Sequence, residues 1–393
     1  MAQTPTIVAY DCAHLKALVR SEIKNQGHRA DLNHLDVSNI KDFSGLFSEF
    51  SKFNGDISQW NVSSATNMAG MFKGSHFNGD ISRWRVGGVL TMDSMFESSK
   101  FNGDLYSWNT GRVENMRSMF QESNFKGDLS CWNVGSVKTM SHMFYKSPFV
   151  GDISQWNTAR VESMEGMFES SRFQGNLSKW NVSNVFNFAN MFMRSRFNGD
   201  VSKWDTSSAL SMNAMFASSP FDGDISKWDV SKVTEMKQMF FDSVFTQDLS
   251  RWNVSSVVDM TAMFFYSKFN GDISNWDVAN VQSMKRLFSH SSFVHDVGHW
   301  RVSPNAERDE LYTSDEFLAV QSMSDWIILM HVEEGTRPVD DDWAVAFIEA
   351  EVMANALDLE WLEHVEAIKS FYHAQKIEAE LTEAQSVNPA LFS

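Results

Sequence analysis

Four residues near position 295 have side chains of the kind that bind transition metals. Imidazole nitrogens and carboxylate oxygens are common zinc ligands. The four residues are His290, His295, Asp296 and His299. The alternative, which we favour, is that they form the polar end of a last, degenerate copy of a sequence repeat. The acidic run 340–342 also has two interpretations, a divalent-cation site or charges that stabilise the N-terminus of a helix, and we favour the helix. We therefore predict no metal and no cofactor.

Motifs of the common enzyme classes are missing from the sequence. Residues 74–79 have the glycine spacing of a phosphate loop but lack the lysine that contacts phosphate, so we interpret them as a turn. No HExxH, GxSxG or Cys-x-x-Cys motif is present, and Cys12 and Cys131 lie too far apart in sequence to indicate a disulfide framework. Asn-x-Ser triplets match the glycosylation pattern but recur because the chain itself repeats. They begin at Asn61, Asn181 and Asn253.

The aromatic residues recur with a fixed period. Eleven of the 14 tryptophans are spaced by 24 residues, and a phenylalanine lies seven residues before each of them. The eleven are Trp60, Trp84, Trp108, Trp132, Trp156, Trp180, Trp204, Trp228, Trp252, Trp276 and Trp300. A constant period of this length is typical of a leucine-rich-repeat type of solenoid, in which each copy stacks on the next. We expect the tryptophan and methionine columns to form the core, because stacked copies need a uniform interior.

One copy, FNGDISRWRVGGVLTMDSMFESS from Phe77, shows two apolar rhythms. Trp84 and Val86 alternate as in a short strand, whereas the spacing from Val89 to Phe96 places its apolar residues on one face of a short helical segment. We attribute the Asn-Gly-Asp piece to a turn in which glycine accepts a positive φ. The predicted fold class is an α/β repeat solenoid, a leucine-rich-repeat-like right-handed coil of about 11 turns of 24 residues with a parallel sheet on one face.

The recurring pieces ISQW-x-V and MF-x-x-S-x-FNGDIS-x-W resemble the repeat of BspA-like bacterial surface proteins, of the type first noted in mycoplasma surface lipoproteins. The resemblance covers about residues 30–302. It implies a curved solenoid used for adhesion or protein binding, with no catalytic residues. The sequence departs from the pattern in two ways. We find no signal peptide or lipobox cysteine, and Val89 and Val113 stand where leucine-rich repeats carry asparagine.

The two ends of the array predict separate units. Residues 1–34 contain a helical pattern, from Ala13 to Asn25, that ends at Gly27 and would cap the array. The solenoid is assigned to 35–302, with a first copy one residue longer than the rest. The remainder, 303–393, has helical periodicity and carries 20 acids against 4 bases. We predict an all-α, acidic C-terminal domain there, which holds nearly all of the formal charge of −17.

The residues on either side of each tryptophan are expected to point outward, because the tryptophan points inward. Those residues differ from copy to copy, and in four consecutive copies the preceding residue is basic. We name Lys179, Lys203, Lys227 and Arg251 the basic strip. Further candidates on this face are Arg83, Arg85, Asp205 and Asp229. Two interpretations stay open, a solvated and self-neutralised ladder or a polar recognition surface for the acidic surface of a protein partner.

These features together favour a non-enzymatic scaffold that binds a partner protein through this face or through the acidic C-terminal domain. The alternatives are an adhesin displayed on a cell or virion surface, and an enzyme housed in 303–393. Without a leader or a long apolar run, we expect a cytoplasmic location, no membrane insertion and a monomer. The negative charge argues against nucleic acid as the direct ligand. The acidic domain could also contact the basic strip of its own chain.

Overall fold

The computed structural model describes residues 6–311. Its regular elements are strand β1 (Ile7–Val8), helix α1 (Cys12–Gln26) and strand β2 (Leu35–Asp36), and the two strands pair in parallel. The rest of the described chain is built from turns and bridges. The predicted acidic helical domain from residue 312 onward, the acidic run 340–342 and the enzyme alternative all lie outside the described residues.

Helix α1 is the element that the sequence predicted over 13–25. The Asp11 side chain accepts a hydrogen bond from the backbone N–H of His14 at 2.8 Å, which satisfies a free donor of the first turn. The helix ends at Gly27, which has φ 83° and whose N–H donates to the Ile23 carbonyl at 2.8 Å. Leu15 and Val19 are fully buried in the same apolar core as the first repeats. The helix prediction is confirmed.

The sequence period is also a structural period. One residue of each repeat pairs in parallel with the equivalent residue of the next, as Thr91 does with Asn115, and this ladder runs from Asp42 to Glu307. The first interval, from Asp42 to Asn67, is one residue longer than the later ones, as the longer first copy predicts. The chain is therefore a tandem repeat protein whose copies stack directly on one another. The ladder continues past Val302, where the period is lost in the sequence.

The helical segment predicted between Val89 and Phe96 is wrong. Residues 91–98 instead form consecutive tight turns, in which the N–H of Met95 donates to Met92 at 3.1 Å and the N–H of Ser99 donates to Phe96 at 3.1 Å. Ser94 and Ser98 have φ of 56° and 54°, a left-handed conformation that ends any α-helix. We call residues 91–98 and their equivalents in each repeat the bridged segment.

Hydrogen bonds between repeats replace those that a helix would have made within one. The N–H groups of Met92, Ser94 and Phe96 donate to carbonyls of the following repeat at 2.9, 2.8 and 2.9 Å. Every second residue of the bridged segment therefore donates a backbone hydrogen bond to the next repeat of the array. Because buried backbone groups need partners, the stacking itself supplies what the local conformation lacks.

The short strand predicted at Trp84 and Val86 is also absent from the described repeats. The chain turns twice there instead, with Trp84 donating to Ile81 at 3.1 Å and Val89 donating to Val86 at 3.0 Å. The inward direction of both side chains was nevertheless predicted correctly, since Trp84 and Val86 are buried. The parallel pairing that the sequence placed beside tryptophan lies on the bridged segment.

Glycine in the Asn-Gly-Asp piece serves close packing rather than a positive φ. Gly79 is outside the left-handed region, and a Cβ there would lie 2.8 Å from the ring of Phe77. Gly103 stands in the same relation to Phe101. The absence of a side chain lets each phenylalanine ring fold back against its own backbone, so our turn interpretation gave the wrong reason for this residue.

The core consists of uniform columns that run along the array. The equivalents of Phe77, Trp84, Met92, Met95 and Phe96 are buried in nearly every repeat. Each aromatic ring lies against its own and neighbouring repeats; Phe96 and Phe101, for example, have ring centroids 4.5 Å apart. The interpretation of the tryptophan and methionine columns as core is confirmed.

Candidate binding faces

The basic strip lies on what we call the tryptophan side of the array, the surface formed by the exposed residues next to each tryptophan. Lys179, Lys203, Lys227 and Arg251 are all exposed, and each directly precedes a buried tryptophan. Among the described residues none of the four has an ion-pair partner within 4 Å. Successive members belong to adjacent repeats, which at the usual spacing of paired strands places them about 4.8 Å apart.

A row of carboxylates accompanies the basic strip. Asp80 and most of its equivalents form a tight local turn, in which one carboxylate oxygen accepts the N–H two residues later, as Asp200 does from Ser202 at 2.9 Å. Hydrogen bonds from Ser202 lower the pKa of Asp200, and the charge of Lys203 adds to the effect. Lys227 and Arg251 act in the same way on Asp224 and Asp248. The basic strip is therefore close to an acid in three of its four repeats.

The other candidates from the sequence are also exposed. Asp205 and Asp229 follow the tryptophans of two strip repeats, and Asp229 has a lowered pKa because it accepts hydrogen bonds from Ser231. In the four strip repeats the tryptophan side thus carries four bases and five acids. Arg83 and Arg85 share one repeat, four repeats before Lys179, so the structure does not bring them together with the basic strip.

The four residues near position 295 that were considered as metal ligands do not converge. His295 and His299 hydrogen-bond through Nε2 to the carbonyls of Asn270 and Ser274, at 2.9 and 2.7 Å. The Asp296 carboxylate accepts the N–H of Gly298. Within residues 6–311, no group of three or more His, Cys, Asp or Glu side chains is placed to hold a metal ion.

The side chains of the three Asn-x-Ser triplets are used locally. Each asparagine oxygen accepts the N–H two residues later, at distances of 3.0 to 3.2 Å. The acceptors are those of Asn61, Asn181 and Asn253. Their recurrence follows from the turn that the repeat needs at this position.

A second surface, partly exposed and missed by the sequence analysis, flanks the bridged segment. The leading row holds the residue just before each bridge, and the trailing row holds the residue seven positions later. The leading row is Thr66, Leu90, Glu114, Lys138, Glu162, Phe186, Leu210, Thr234, Val258 and Gln282. The trailing row is Lys73, Glu97, Gln121, Tyr145, Glu169, Met193, Ala217, Phe241, Phe265 and Ser289. Most of the trailing row is half-buried, and Ala217 and Ser289 are buried. Aligning the repeats by period would have revealed both rows.

Both rows change character at the same place along the array. Their first halves are mainly charged, and two ion pairs join adjacent repeats there, Lys138 with Glu114 at 2.7 Å and Lys73 with Glu97 at 2.8 Å. From residue 186 onward both rows carry large apolar residues, interrupted by the polar Thr234, Gln282 and Ser289 and by the buried Ala217. We call these later residues the apolar patch: Phe186, Leu210 and Val258 of the leading row and Met193, Phe241 and Phe265 of the trailing row, with the adjacent Tyr266.

The apolar patch is partly open to solvent. Phe186 is 42% exposed, Leu210 46% and Tyr266 52%. Phe241 stacks on Phe265 with ring centroids 5.4 Å apart, and Tyr266 meets the ring of Phe265 edge-on at 4.6 Å. Large apolar side chains recur on these four repeats, and the exposed ones lie on the first, second and fourth. Exposed apolar patches mark interaction sites.

Two partly buried titratable residues, His142 and Glu169, lie in the repeats before the apolar patch. The His142 imidazole is 3.8 Å from the Glu165 carboxylate, and burial lowers the pKa of His142 more than that carboxylate raises it. Burial also raises the pKa of Glu169. We interpret both residues as structural, because each is partly buried in the stacked repeats.

The family model described as "Mycoplasma protein of unknown function, DUF285" matches the chain three times in tandem, at residues 17–126, 118–221 and 218–326. These matches cover most of the chain. The chain belongs to the DUF285 family. The three matches follow one another along the same stacked repeats that the bridges define, so the family model describes several repeats at once. The mycoplasma part of the sequence resemblance is confirmed.

Other comparisons add nothing to the DUF285 assignment. Neither curated proteins nor solved structures give a match to the chain. Among residues 6–311, no helix has the length and apolar content needed to cross a membrane.

Proposed function

We propose that this protein is a non-enzymatic scaffold that binds a partner protein through the tryptophan side of its repeats. In this proposal the stacked copies form a leucine-rich-repeat-like, right-handed solenoid of the BspA-like type. One observation carries it: the core columns repeat almost without change, whereas the exposed residues beside tryptophan differ from repeat to repeat. A constant frame that displays different side chains at a constant spacing is how repeat proteins build recognition surfaces.

The chemistry of this face indicates the kind of partner. The bases of the strip lie beside a row of carboxylates. A uniformly acidic partner would therefore be attracted by the bases and repelled by the carboxylates. A partner with both signs of charge at a matching spacing fits better, because complementary charges set specificity and register. This refines the sequence-based expectation of an acidic partner surface.

The test is affinity capture with the full chain and two charge-matched variants. In the first variant Lys179, Lys203, Lys227 and Arg251 are all changed to glutamate. In the control variant four exposed bases elsewhere are changed to glutamate: Arg29, Lys41, Lys52 and Lys126. We expect one partner to be retained by the wild type and the control and lost with the first variant. Equal retention by all three proteins would reject the basic strip as the binding face.

Adhesion to cells can be tested with the same three proteins. If the wild-type protein sediments with intact cells and retains no soluble partner, the adhesin alternative replaces the scaffold proposal. Comparing the two charge variants in the sedimentation assay then shows whether adhesion uses the same face.

A further inference from the structure

The apolar patch needs a cover, and its surroundings indicate what kind. Exposed bases flank it on the same stretches of chain: Arg194, Arg196, Lys232, Lys237 and Lys268. Among the described residues none of these five forms an ion pair within 4 Å. The same stretches carry three acids, and one of them, Glu235, already accepts hydrogen bonds from Ser211 and Asn213. The cover should therefore be apolar on its inner face and acidic at its edges.

The chain contains such a segment beyond its described part. Residues 312–393 hold 17 acids and 3 bases. Within them, Met353, Leu357, Trp361, Val365 and Ile368 recur at spacings of four, four, four and three, the pattern of one apolar helix face. Acidic residues lie between these positions. They are Asp358, Glu360, Glu363 and Glu366.

The dimensions of the two surfaces agree. The apolar patch extends over four repeats, which is about 14 Å at the usual spacing of parallel chains. A helix rises about 1.5 Å per residue, so a stretch of roughly nine residues covers that length. The apolar pattern from Met353 to Ile368 is longer than this, so the patch can be covered with residues to spare.

The described chain ends close to the patch. Leu311 accepts the N–H of Phe288 at 3.0 Å, so the last described residue still belongs to a bridged segment. Phe265 lies two repeats earlier in the equivalent segment, about 10 Å away at the spacing of parallel chains. A segment tethered at this distance has a high effective concentration at the patch. The patch of a second copy would be a poorer cover, because it carries the same excess of bases and would be repelled.

We propose that residues 343–372 of the same chain pack across the apolar patch, with their carboxylates toward the five flanking bases. The acidic segment would then cover the apolar patch beside the bridged segments, and the tryptophan side would stay free to bind a partner. This inference is independent of the proposed partner binding, because the two surfaces use different residues.

Zero-length carbodiimide cross-linking of the full chain tests the proposal, with products mapped by mass spectrometry. We expect cross-links from Lys232, Lys237 and Lys268 to carboxylates between Glu349 and Glu366. Lys203 and Lys227, which are also exposed, are internal controls and should give no cross-links to these carboxylates. Mixing light and isotope-labelled protein separates links within one chain from links between two. Links only between chains, links at Lys203 and Lys227 instead, or no links at all would each overturn the proposal.

A pair of variants tests whether the apolar contact drives the docking. Phe186→Asp with Leu210→Asp alters the patch, and Leu90→Asp is a single-site control in the polar half of the same leading row, where Leu90 is 37% exposed. We expect about a tenfold or greater loss of cross-links in the double variant, since burying one large apolar side chain is worth more than one tenfold step. Equal yields from the double variant and the control would contradict the proposal. Thermal melting of both variants checks that the array is intact.

Salt gives a further readout on the wild-type chain. Docking driven mainly by apolar burial should survive about 0.5 M salt, which screens exposed ion pairs. If all cross-links from Lys232, Lys237 and Lys268 are lost at that salt, the contact is purely electrostatic and the apolar patch does not hold the segment.

Discussion

The indole N–H of Trp132 donates a hydrogen bond to the carbonyl of Leu105, in the preceding repeat, at 3.0 Å. The same bond recurs along the array, at 3.0 to 3.2 Å, from Trp60 to Trp276. Tryptophan thus fills the core and also satisfies its one polar atom by reaching the repeat before it. Phenylalanine at this position would fill part of the space and make no such bond, which gives a physical reason for the constant tryptophan.

We expect Trp132→Phe to lower the free energy of unfolding by about 2 kcal/mol, from the lost hydrogen bond and the smaller buried ring. Denaturant unfolding followed by circular dichroism measures this. The adjacent and exposed Cys131→Ser is the control and should be close to neutral. A loss for Trp132→Phe no larger than that of the control would mean that the bond between repeats contributes nothing.

The sequence was sufficient to predict the period, the core columns and helix α1. The period and the core columns follow from spacing, because a residue that is apolar in every copy must be buried when the copies stack. Helix α1 follows from the spacing of its own apolar residues. The exposure of the basic strip followed by the same reasoning. Its neutralising carboxylates were equally visible in the sequence, three residues earlier, but only the folded turn shows that Asp200 and Lys203 are near each other.

The local conformation was not predicted, because two apolar patterns were matched to a strand and a helix. Both patterns assume that a segment satisfies its hydrogen bonds in a standard way, whereas here the next repeat accepts them. One signal was available. Gly45, Gly70 and Gly166 occupy the position of Ser94, and Gly74 occupies that of Ser98, and all four have positive φ. Glycine at the same two positions of different repeats indicates left-handed turns and argues against a helix.

A glycine with open space around it isolates the cost of the left-handed conformation. Gly74 has φ 66°, and no atom outside its immediate neighbours lies within 4 Å of where a Cβ would be. We expect Gly74→Ala to destabilise the protein by about 1 kcal/mol, since the left-handed region penalises any Cβ. Ser170→Ala, at the equivalent position with φ 56°, changes no backbone preference and should be near neutral. Equal unfolding midpoints for the two variants would contradict the conformational explanation.

The aspartate turns predict a loss of stability in acid. Hydrogen bonds from Ser82 and Ser202 hold the pKa values of Asp80 and Asp200 below their ordinary value of 3.8. For a carboxyl with a lowered pKa in the folded chain, the stabilisation is fully present above the ordinary value and is lost as the pH falls through the folded value. Because the turn recurs along the array, stability should fall steeply below about pH 4.

Asparagine at this position should keep the turn and remove its titration. Asn176 occupies the position naturally and accepts the N–H of Ser178 at 2.9 Å, the same bond that Asp200 makes. We therefore expect Asp80→Asn with Asp200→Asn to unfold less steeply between about pH 4 and pH 2.5 than the wild type, with little change at neutral pH. Thermal melting across this range measures it. An unchanged acid slope would show that these turns do not control acid unfolding.

The imidazole of His142 occupies the space that a side chain at residue 166 would need. Gly166 has φ 58°, and a Cβ there would collide with Nδ1 of His142 in the preceding repeat. Gly166→Ala therefore adds a steric clash to the backbone strain that Gly74→Ala has alone. We expect it to cost about 1–3 kcal/mol more than Gly74→Ala, the usual range for overpacking. The pair has a clean double-mutant cycle: His142→Ala removes the ring, so Gly166→Ala made in that background should cost no more than Gly74→Ala. If the two costs in the cycle simply add, the ring and the glycine are not coupled, and the strain at residue 166 has to come from its backbone alone.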